Sequence, residues 1–404
     1  MAEIVPFKGY TYNGEKTGKL TGLVTLPYDV ISPSMQKAYY KASPYNIIRL
    51  EYSKNRGKGR YLAAGKTLSG WIAERILKKE LKPAYYILEQ SFKFGGKKCK
   101  RTGFYALVKA VDFKKKQVLP HEETFPKQKK DRLSLLRACK ANLSPIFGVF
   151  DGELDFRALK KNKPDLQYTL KDKGQPVSGK IWKVTGGKET ARLTAFMKNR
   201  RIFIADGHHR YETSLDYRKE REENSGKDSL APWNYTLFVL VSLQDKGLVI
   251  YPTHRVVKFA SPVNIDTLLA ALGGEFKIGV CRRKAAAENI VIYLKGSYYA
   301  LIPKSKKVLS SMPVKKSLAW KALSTSVLHH LVLPRLPKVN EMVYVRDESE
   351  GVKLANTPRF SAAFLIPSIS AKAIRETAGK LERMPHKSTY FYPKLPAGAV
   401  INKH

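Results

Sequence analysis

The sequence predicts a mixed α+β fold in two parts. In the first part, runs rich in β-branched and aromatic residues alternate with amphipathic helical runs. From about residue 261 the pattern changes to helix-rich segments joined by strands. Within residues 201–217, RIFIADGHHRYETSLDY, a short buried strand leads through a tight turn into a helix. A chain of 404 residues suffices for two domains with sizeable cores or for one large intertwined unit. Because the pattern changes at residue 261, we place a soft boundary near Ala260, between parts 1–260 and 261–404.

Strands are predicted where apolar or alternating runs are bounded by turn residues. They cover residues 22–26, 44–51, 85–90, 103–108, 201–205 and 233–243, and residues 247–251 are expected to pair with the last of these across a turn. Helices are predicted from amphipathic stripes at residues 61–80, 131–142 and 189–198, and from residue 208 to the Ser-Gly stop at 225–226. The polar stretch 161–187 is predicted to be loop-rich.

The first turn of the helix after Asp206-Gly207 carries two imidazoles and a guanidinium, those of His208, His209 and Arg210. The helix macrodipole disfavours cations at this end by about 0.3–1 kcal/mol each. A run of residues that breaks a local rule indicates a site. The simplest occupant is an anion, held by backbone N–H groups and by the side chains around it. Two alternatives stay open: one histidine packs while the other caps the helix, or Asp206, His208 and His209 bind a metal ion.

The formal net charge is +40, from 74 Lys and Arg against 34 Asp and Glu. Such a charge attracts polyanions and phosphorylated ligands, so nucleic acid is considered as a partner. The basic residues are nevertheless scattered in short clusters, without an RNA-recognition signature or a single basic helix. Because an excess of lysine this diffuse is equally typical of a proteome-wide bias, the charge by itself identifies no partner.

The cysteines and the apolar runs bear on the compartment. Cys99, Cys139 and Cys281 are widely spaced and odd in number, which indicates reduced thiols and neither a disulfide framework nor a zinc site. No apolar run approaches the roughly 20 residues of a membrane span. The first residues, MAEIVPFKGY, lack the basic start and the apolar stretch of a signal peptide. We expect a cytoplasmic protein.

Residues 120–132 are dense in groups that chemistry uses. The order His121-Glu122, then lysines, then Asp131-Arg132 supplies a base, anion ligands and a guanidinium, which phosphoryl transfer needs for positioning and charge neutralisation. A solvated loop followed by a charged helix start is the alternative interpretation. The segment is not a zinc-binding HExxH helix, because position 125 is Phe.

Three shorter segments also concentrate polar groups. Asp29 follows an apolar run and precedes a turn, where it is a general base, part of an Asx-turn or the N-cap before Ser32-Pro33. Arg49 is interpreted as structural on pattern alone. Lys387-Ser388-Thr389 offers an ammonium and two hydroxyls, although the sequence contains no P-loop glycines and no dinucleotide-binding fingerprint. Residues 384–394 as a whole are expected to fold back over the site.

Seven motifs together resemble one bacterial and archaeal family, domain of unknown function family 1015. They are residues 27–31, 46–50, 121–132 (through His121-Glu122, Thr124 and Asp131-Arg132), 142–147, 205–213, 252–255 and 384–394. They follow the family's order nearly end to end. Residues 206–210 also resemble the phosphate-binding box of the ParB and sulfiredoxin superfamily, whose members bind ATP, ADP or CTP and include archaeal kinases that phosphorylate free serine.

The resemblance implies a ParB/sulfiredoxin-like phosphate-binding catalytic core in residues 1–260 and an α+β part in 261–404 that returns to the site through 384–394. It assigns phosphate binding to Gly207, His208, His209 and Arg210, and His209 is also counted among the catalytic residues. A carboxylate deprotonates the substrate hydroxyl in such kinases, and the candidates are Asp29, Glu122 and Asp206. Further phosphate ligands are expected at Lys127, Lys129, Arg132, Arg255, Lys387, Ser388 and Thr389, with a structural role as the alternative for Arg255. Substrate-binding residues are expected at Tyr28, Arg49, His121 and Thr124.

The resemblance favours a small-molecule kinase that transfers a phosphoryl group from ATP, ADP or pyrophosphate to free L-serine, giving O-phosphoserine in L-serine biosynthesis. Mg²⁺ is expected as the cofactor, with no metal ligands assigned. The alternative is a nucleotide-binding module for CTP or ATP, associated with nucleic acid, which predicts a helix-turn-helix after the box. Residues 261–276 and 312–333 are helical in part, but neither forms a convincing recognition pair. Other phosphate chemistry, such as a phosphatase, comes third, and the sequence specifies no oligomeric state.

Overall fold

The chain forms a mixed α+β structure, as predicted. The computed structural model describes residues 1–55, 57, 59–122, 126–160 and 163–404. The described residues divide into two compact units. Unit 1 comprises those within 1–120, 124–248 and 393–404, and unit 2 comprises those within 121–123 and 249–392.

Short strands and helices alternate along the described chain. The strands are β1 (Ile4–Val5), β2 (Tyr10–Tyr12), β3 (Leu77–Lys79), β4 (Tyr85–Phe94), β5 (Lys97–Lys109), β6 (Val118–Leu119), β7 (Ala141–Asn142), β8 (Ile146–Phe150), β9 (Leu166–Asp172), β10 (Gln175–Val184), β11 (Ile202–Asp206), β12 (Tyr235–Ser242), β13 (Val249–Tyr251), β14 (His254–Phe259), β15 (Phe276–Val280), β16 (Ile290–Leu294), β17 (Ser297–Pro303), β18 (Val339–Val345), β19 (Ala362–Leu365), β20 (Tyr390–Tyr392) and β21 (Asn402–Lys403). The α-helices are α1 (Gly14–Thr17), α2 (Pro33–Ala42), α3 (Ile48–Glu51), α4 (Gly59–Ala73), α5 (Pro126–Cys139), α6 (Gly187–Met197), α7 (His208–Ser225), α8 (Ile265–Leu272), α9 (Lys306–Ser310), α10 (Leu318–Lys321), α11 (Ser324–Val327), α12 (Glu348–Ala355) and α13 (Ala371–Gly379).

One large sheet organises unit 1. Its strand order is β6-β11-β8-β12-β5-β4-β10-β9, with β1 beside β5. Strand β11 pairs in parallel with β6 and antiparallel with β8, and the register shifts between Ile204 and Asp206. The core packs on this sheet around the fully buried side chains of Phe104, Phe150 and Phe238. Helix α7 contacts β8, β12 and α5, so both elements that flank the Asp-Gly turn belong to the core of unit 1.

A second sheet organises unit 2. Its antiparallel strands follow the order β15-β17-β16-β19-β14-β18. Val256, Val291 and Leu365 are fully buried in its core. Residues 121–122 belong to this unit because Glu122 forms a bridge with Met384, whose N–H donates to the carbonyl of His121 at 2.6 Å.

Most of the predicted elements are present with shifted ends. Strands occur at 85–90, 103–108, 201–205 and 233–243, within β4, β5, β11 and β12. Helices occur at 131–142, at 189–198 and after residue 207, as α5, α6 and α7. Helix α7 ends at the predicted Gly226, which has φ +76°.

Two predicted strands near the N-terminus were wrong. Residues 44–51 end in the helical turn α3, because the side chain of Asn46 accepts a hydrogen bond from the N–H of Ile48 at 2.9 Å and starts the turn. Residues 22–26 form a turn with a single bridge between Thr25 and Ala397. A side-chain cap at Asn46 overrides the apolar pattern of residues 44–51, and a backbone turn in which Leu23 N–H donates to the carbonyl of Leu20 does so in residues 22–26.

The predicted helix 61–80 is too long. Helix α4 ends at Ala73, and Arg75 adopts φ +57° while Ile76 N–H donates back to the carbonyl of Trp71 at 2.8 Å. This left-handed residue closes the helix end. The chain then forms β3, which pairs with β2.

The stretch 161–187 is not the predicted loop in its described part. Strands β9 and β10 form a hairpin whose turn residues Lys173 and Gly174 have φ +50° and +76°. Along both strands buried and exposed residues alternate, with Tyr168, Leu170 and Val177 turned inward. The polar residues between them, such as Thr169, Lys171 and Ser178, make the stretch resemble a loop, although the period-2 pattern is typical of a half-buried strand.

The pairing predicted for residues 247–251 was also wrong, because β13 pairs with β20 and not with β12. Strand β14 lies inside the sheet of unit 2, so the division between the units falls after Leu248 and not near Ala260. Helix α8 leads directly into β15, so residues 261–276 form no helix-turn-helix. No helix in the described ranges is long and apolar enough to cross a membrane.

Candidate functional site

The turn between β11 and α7 has the geometry that the Asp-Gly dipeptide predicts. Gly207 adopts φ +91° and ψ +29° as the N-cap of α7. The positive φ favours glycine, and a Cβ at this position would lie 3.0 Å from the guanidinium of Arg210, which would have to shift. The register of β11 against β8 shifts between Ile204 and Asp206, so Ala205 is left out of the pairing while Asp206 pairs with Phe147. The 18-residue helix α7 therefore starts abruptly at the end of a buried strand.

Asp206 is surrounded by hydrogen-bond donors. Its Oδ1 accepts the N–H of Gly207 at 2.9 Å, and its Oδ2 accepts the ammonium of Lys394 at 3.0 Å. Burial opposes ionisation, but Lys394 and then Arg210 outweigh it and hold the pKa of Asp206 well below its usual range. The carboxylate is therefore permanently ionised at neutral pH.

Arg210 links the start of α7 to the neighbouring strand. Its Nη2 lies 3.8 Å from Oδ2 of Asp206, and its Nη1 donates to the carbonyl of Pro145. The side chain is 13% exposed, so the guanidinium is fixed but keeps access to solvent. His208 is buried and helps to lower the pKa of Asp206. His209 is half-buried. Among the described residues no three His, Cys, Asp or Glu side chains cluster as metal ligands.

Arg132 forms a second buried cluster in unit 1. Its guanidinium donates to Oδ2 of Asp131 at 2.6 and 2.8 Å and to Oε1 of Glu51 at 3.4 Å. It stacks on the ring of Tyr28 at 3.9 Å, and Ser144 donates to Glu51 at 3.0 Å. Two carboxylates thus neutralise Arg132, which makes its role here chiefly structural.

A cavity of about 50 Å³ brings the two predicted arginines together. Arg132 and Arg210 both line it, with Glu51, Ser144 and Thr213 among the other residues. Thr213 is buried, and its hydroxyl has no hydrogen-bond partner within the part of the chain that the structure describes. The pKa of Tyr28 is raised by burial against the opposing pull of Arg132 and Arg210, which places Tyr28 near both guanidinium groups. This volume accommodates a few water molecules or one small polar group.

In unit 2, His121 and Glu122 lie beside Thr389, which follows Glu122 by 267 residues in the sequence. The hydroxyl of Thr389 lies 2.8 Å from Nε2 of His121 and 3.0 Å from Oε1 of Glu122. The same Oε1 accepts the N–H of Thr389 at 3.0 Å. His121 is fully buried, so the three residues form a fixed hydrogen-bond network within unit 2.

Arg255 lies in the interior of unit 2, where it contacts backbone carbonyls. It is fully buried and donates to the carbonyls of Thr253, His386 and Lys387. Burial lowers the pKa of Arg255 to about 10, against the opposing effects of Tyr344 and Glu122, so it stays charged at neutral pH. The exposed Lys387 has φ +57°, which forms the turn that Arg255 holds. Ser388 is buried as well, and its hydroxyl donates to the carbonyl of Pro385 at 2.6 Å.

The remaining predicted residues are dispersed. Asp29 is exposed in the turn 28–30 before α2, whose N-cap is Ser32 and not Asp29. Arg49 stacks on the ring of Tyr40 and donates to the backbone carbonyl of Tyr40 at 3.3 Å. Lys129 pairs with Asp216 at 3.1 Å and Glu212 at 3.5 Å on α7. Thr124 and the side chain of Lys127 lie outside the described residues.

The sequence reasoning missed Lys394 as a partner of Asp206. It also missed three buried polar residues that hold the backbone of residues 393–394, namely Gln90, Arg101 and Asp172. A signal was available, because Lys394 closes the polar motif 384–394 and is followed by the apolar run 395–401. The residues on β4, β5 and β9 gave no such signal, since polar residues on strands usually face solvent.

Comparisons with known proteins give one family and several distant structures. The family model described as protein of unknown function (DUF1015) matches residues 4–326. No curated protein matches the chain. Similar solved structures include a conserved hypothetical protein from Pyrococcus furiosus, with 13% identity, 70% of this chain and 90% of that chain covered, and a TM-score of 0.35. A mutant free serine kinase in complex with ADP has 11% identity, coverage of 71% and 88%, and a TM-score of 0.37.

SbnI from Staphylococcus aureus, with a C-terminal truncation, is similar at 13% identity, coverage of 73% and 88%, and a TM-score of 0.36. Structural likeness at this level does not identify an activity. The family match is of a different kind, because it spans most of the sequence and begins at its fourth residue. The chain belongs to the DUF1015 family.

Proposed function

We propose that the protein is a phosphotransferase that binds the phosphates of its donor at the start of α7 and transfers a phosphoryl group to the hydroxyl of a small molecule. The observation that carries the proposal is the left-handed Gly207, which starts an 18-residue helix with Arg210 folded against it. The first-turn N–H groups of a helix lack intrahelical acceptors and form the positive end of its macrodipole. Phosphate is the anion that such turns commonly bind.

The charge at this turn supports an anion ligand. Asp206 contributes −1, and Arg210 and Lys394, which approach its Oδ2 at 3.8 and 3.0 Å, contribute +1 each, so the three side chains sum to +1. Arg210 offers a planar fork of donors that suits phosphate oxygens. A phosphate at this position therefore meets a net positive charge on a preformed turn, without a further conformational change of the backbone.

The donor is ATP, ADP or pyrophosphate, because all three present a diphosphate to the same groups. Free L-serine is the acceptor to test first, since residues 205–213 resemble the phosphate-binding box of kinases that act on it. The product is then O-phosphoserine. The cavity shared by Arg132 and Arg210 lies beside the start of α7 and carries the unpartnered hydroxyl of Thr213, which suits a polar group of such an acceptor.

The lowered pKa of Asp206 makes it a weak proton acceptor, because a general base works best with a pKa near the working pH. Its part in the proposal is to orient Lys394 and Arg210. Glu122 and Asp29 remain the candidates for the base that deprotonates the acceptor hydroxyl. The variants Glu122→Gln and Asp29→Asn separate them, since loss of the base lowers kcat far more than it changes the donor affinity.

Magnesium fits the described side chains poorly at Asp206, because both carboxylate oxygens already accept hydrogen bonds. A divalent ion in phosphoryl transfer is often bound mainly by the phosphates and by water. The proposed roles of Gly207, Arg210 and Lys394 are therefore independent of a metal ion, and magnesium enters as a variable of the assay.

The test is phosphorus NMR on the full chain with L-serine and, in separate tubes, ATP, ADP and pyrophosphate, each with and without Mg²⁺. A phosphoserine resonance from one donor is expected. Arg210→Ala should abolish it, whereas Arg218→Ala is the matched control. Both arginines lie on α7, donate to a backbone carbonyl and pair with a carboxylate four residues away, Arg210 with Asp206 and Arg218 with Glu222.

Turnover retained by Arg218→Ala and lost by Arg210→Ala supports the proposal. Equal turnover in both variants contradicts a phosphate site at Arg210. Silence of the wild type in every tube, with pyrophosphate or ADP binding intact, contradicts serine as the acceptor. Binding that falls steeply with salt and extends to DNA or RNA would instead favour the nucleic-acid-associated module.

A further inference from the structure

The C-terminal residues 393–404 form a strap that is built into unit 1. Its residues 395, 397 and 399–402 are buried, and β21 pairs with β7. Along the way Ala397 N–H donates to the carbonyl of Thr25 at 2.9 Å, and Ile401 N–H donates to that of Tyr10 at 3.0 Å. Packing and backbone hydrogen bonds therefore fix the path of the strap towards the C-terminus.

Buried polar side chains hold the first two residues of the strap, Pro393 and Lys394. Arg101 donates to the carbonyl of Pro393 at 2.6 Å, Gln90 donates to the carbonyl of Lys394 at 3.2 Å, and Asp172 accepts the N–H of Lys394 at 3.0 Å. All three side chains are no more than 2% exposed. Gln90 and Arg101 are cross-strand partners on β4 and β5.

This arrangement is costly for stability. Burying a charged guanidinium or carboxylate loses hydration, and a buried ion pair is seldom more stable than packed apolar residues of the same volume. The backbone on both sides of the Cα of Lys394 is nevertheless pinned by such groups. What they fix is the position of one side chain, whose ammonium lies 3.0 Å from Oδ2 of Asp206 while Lys394 is 5% exposed.

We propose that Lys394 is a phosphate-binding residue of the site at the start of α7, that Asp206 orients it, and that Gln90, Arg101 and Asp172 position it through the strap. The proposal rests on the phosphate site proposed above and extends it by a cation from the other end of the chain. Without Lys394 the side-chain charge of the turn is zero, since Asp206 and Arg210 cancel, and with it the charge is +1. Lys394 is thus the residue that makes the turn attractive to an anion.

The experiment measures the binding of pyrophosphate, inorganic phosphate and ADP to the full chain by calorimetry, without any acceptor. Lys394→Met should weaken pyrophosphate binding about 10- to 100-fold, which is the loss expected for one charge-assisted hydrogen bond. Lys394→Arg should recover part of the affinity because it keeps the charge. In a turnover assay Lys394→Met should lower kcat and leave the KM of the acceptor unchanged.

Lys160→Met is the matched control. Lys160 pairs with Glu89 at 2.6 Å, and both side chains are largely buried, so the variant also removes a lysine from a shielded ion pair in unit 1. If Lys394 has only a structural role, the two variants lose stability alike and neither loses pyrophosphate affinity more than the other. Unchanged affinity in a folded Lys394→Met overturns the proposal.

Asp206→Asn tests the proposal if Lys394→Met does not fold. This variant raises the side-chain charge of the turn from +1 to +2, so pyrophosphate should bind more tightly and with a steeper salt dependence, while turnover falls because Lys394 is no longer oriented. Affinity and salt dependence equal to the wild type contradict the proposal. These binding results are independent of the acceptor, so they stand even if serine is not phosphorylated.

Discussion

The ammonium of Lys394 lies 3.0 Å from the carboxylate of Asp206, across 188 positions of the chain. Asp206 ends a buried strand, and Lys394 is the second residue of the strap that packs into the same unit. Because Asp206 is the residue before the left-handed Gly207, the pair stands where α7 starts. The contact therefore connects the C-terminal strap to the turn that carries the proposed phosphate site.

Gly207→Ala is expected to lose both stability and phosphate binding. The substitution places an L-residue at φ +91°, which costs about 1–2 kcal/mol, and its Cβ would meet the guanidinium of Arg210 at 3.0 Å. Urea unfolding and pyrophosphate calorimetry measure the two effects. Gly174→Ala is the control, because Gly174 has φ +76° with open space around it. It should lose similar stability and keep its affinity, and wild-type affinity in Gly207→Ala would be evidence against the site.

Asp206 should make the free energy of unfolding depend on pH in the acidic range. Its folded-state pKa is lowered, with burial opposed and outweighed by Lys394 and Arg210. Its contribution is therefore complete above the unfolded pKa of about 4 and is lost as the pH falls through the folded pKa. Thermal unfolding between pH 5 and pH 2 should show a shallower decline for Asp206→Asn than for the wild type. Parallel curves would mean that the carboxylate is not held ionised by its neighbours.

Arg132→Met should strongly destabilise unit 1. Glu51 is 2% exposed and would lose its guanidinium partner, and breaking a buried pair in this way costs about 3–5 kcal/mol. Denaturant unfolding measures the change. Arg157→Met is the comparison, because Arg157 pairs with Asp155 at 3.0 Å on the exposed surface. No measurable change is expected there, and equal stability of the two variants would refute a structural role for Arg132.

Because His329 is held unprotonated in the folded protein, the free energy of unfolding should fall as the pH falls below neutrality. Burial, then the charge of Arg255, lowers the pKa of His329 from 6.5 to about 4. The unfolded chain takes up the proton first, so stability is complete above pH 6.5 and declines as the pH falls towards 4. His329→Gln keeps an acceptor for Arg255 but does not titrate.

The unfolding midpoint of His329→Gln should therefore change less between pH 7 and pH 4 than that of the wild type. His404 has a pKa lowered to about 4 by burial and contributes a decline of the same sign. The variant consequently flattens the curve in part. A curve identical to the wild type would show that His329 is not shielded from water.

Local elements of the fold were predictable from the sequence where the pattern and the turn chemistry agree. The strand 202–206, the Gly207 turn and the stop of α7 at Gly226 are examples. Predictions failed where a local side-chain bond or a left-handed residue ended an element early, as at Asn46 and Arg75. The β9–β10 hairpin was missed because mostly polar residues occupy its exposed face.

The sequence by itself determined the mixed α+β class, the family motifs and the strand-turn-helix that carries the proposed phosphate site. These depend on periodicity and on the conformational freedom of glycine, which act within a few residues. The tertiary structure decided which charges meet: Lys394 with Asp206, Arg132 with Glu51, and His121 with Thr389. Such contacts join positions far apart in the chain, and their energies depend on burial and on nearby charges, which only the folded chain brings together.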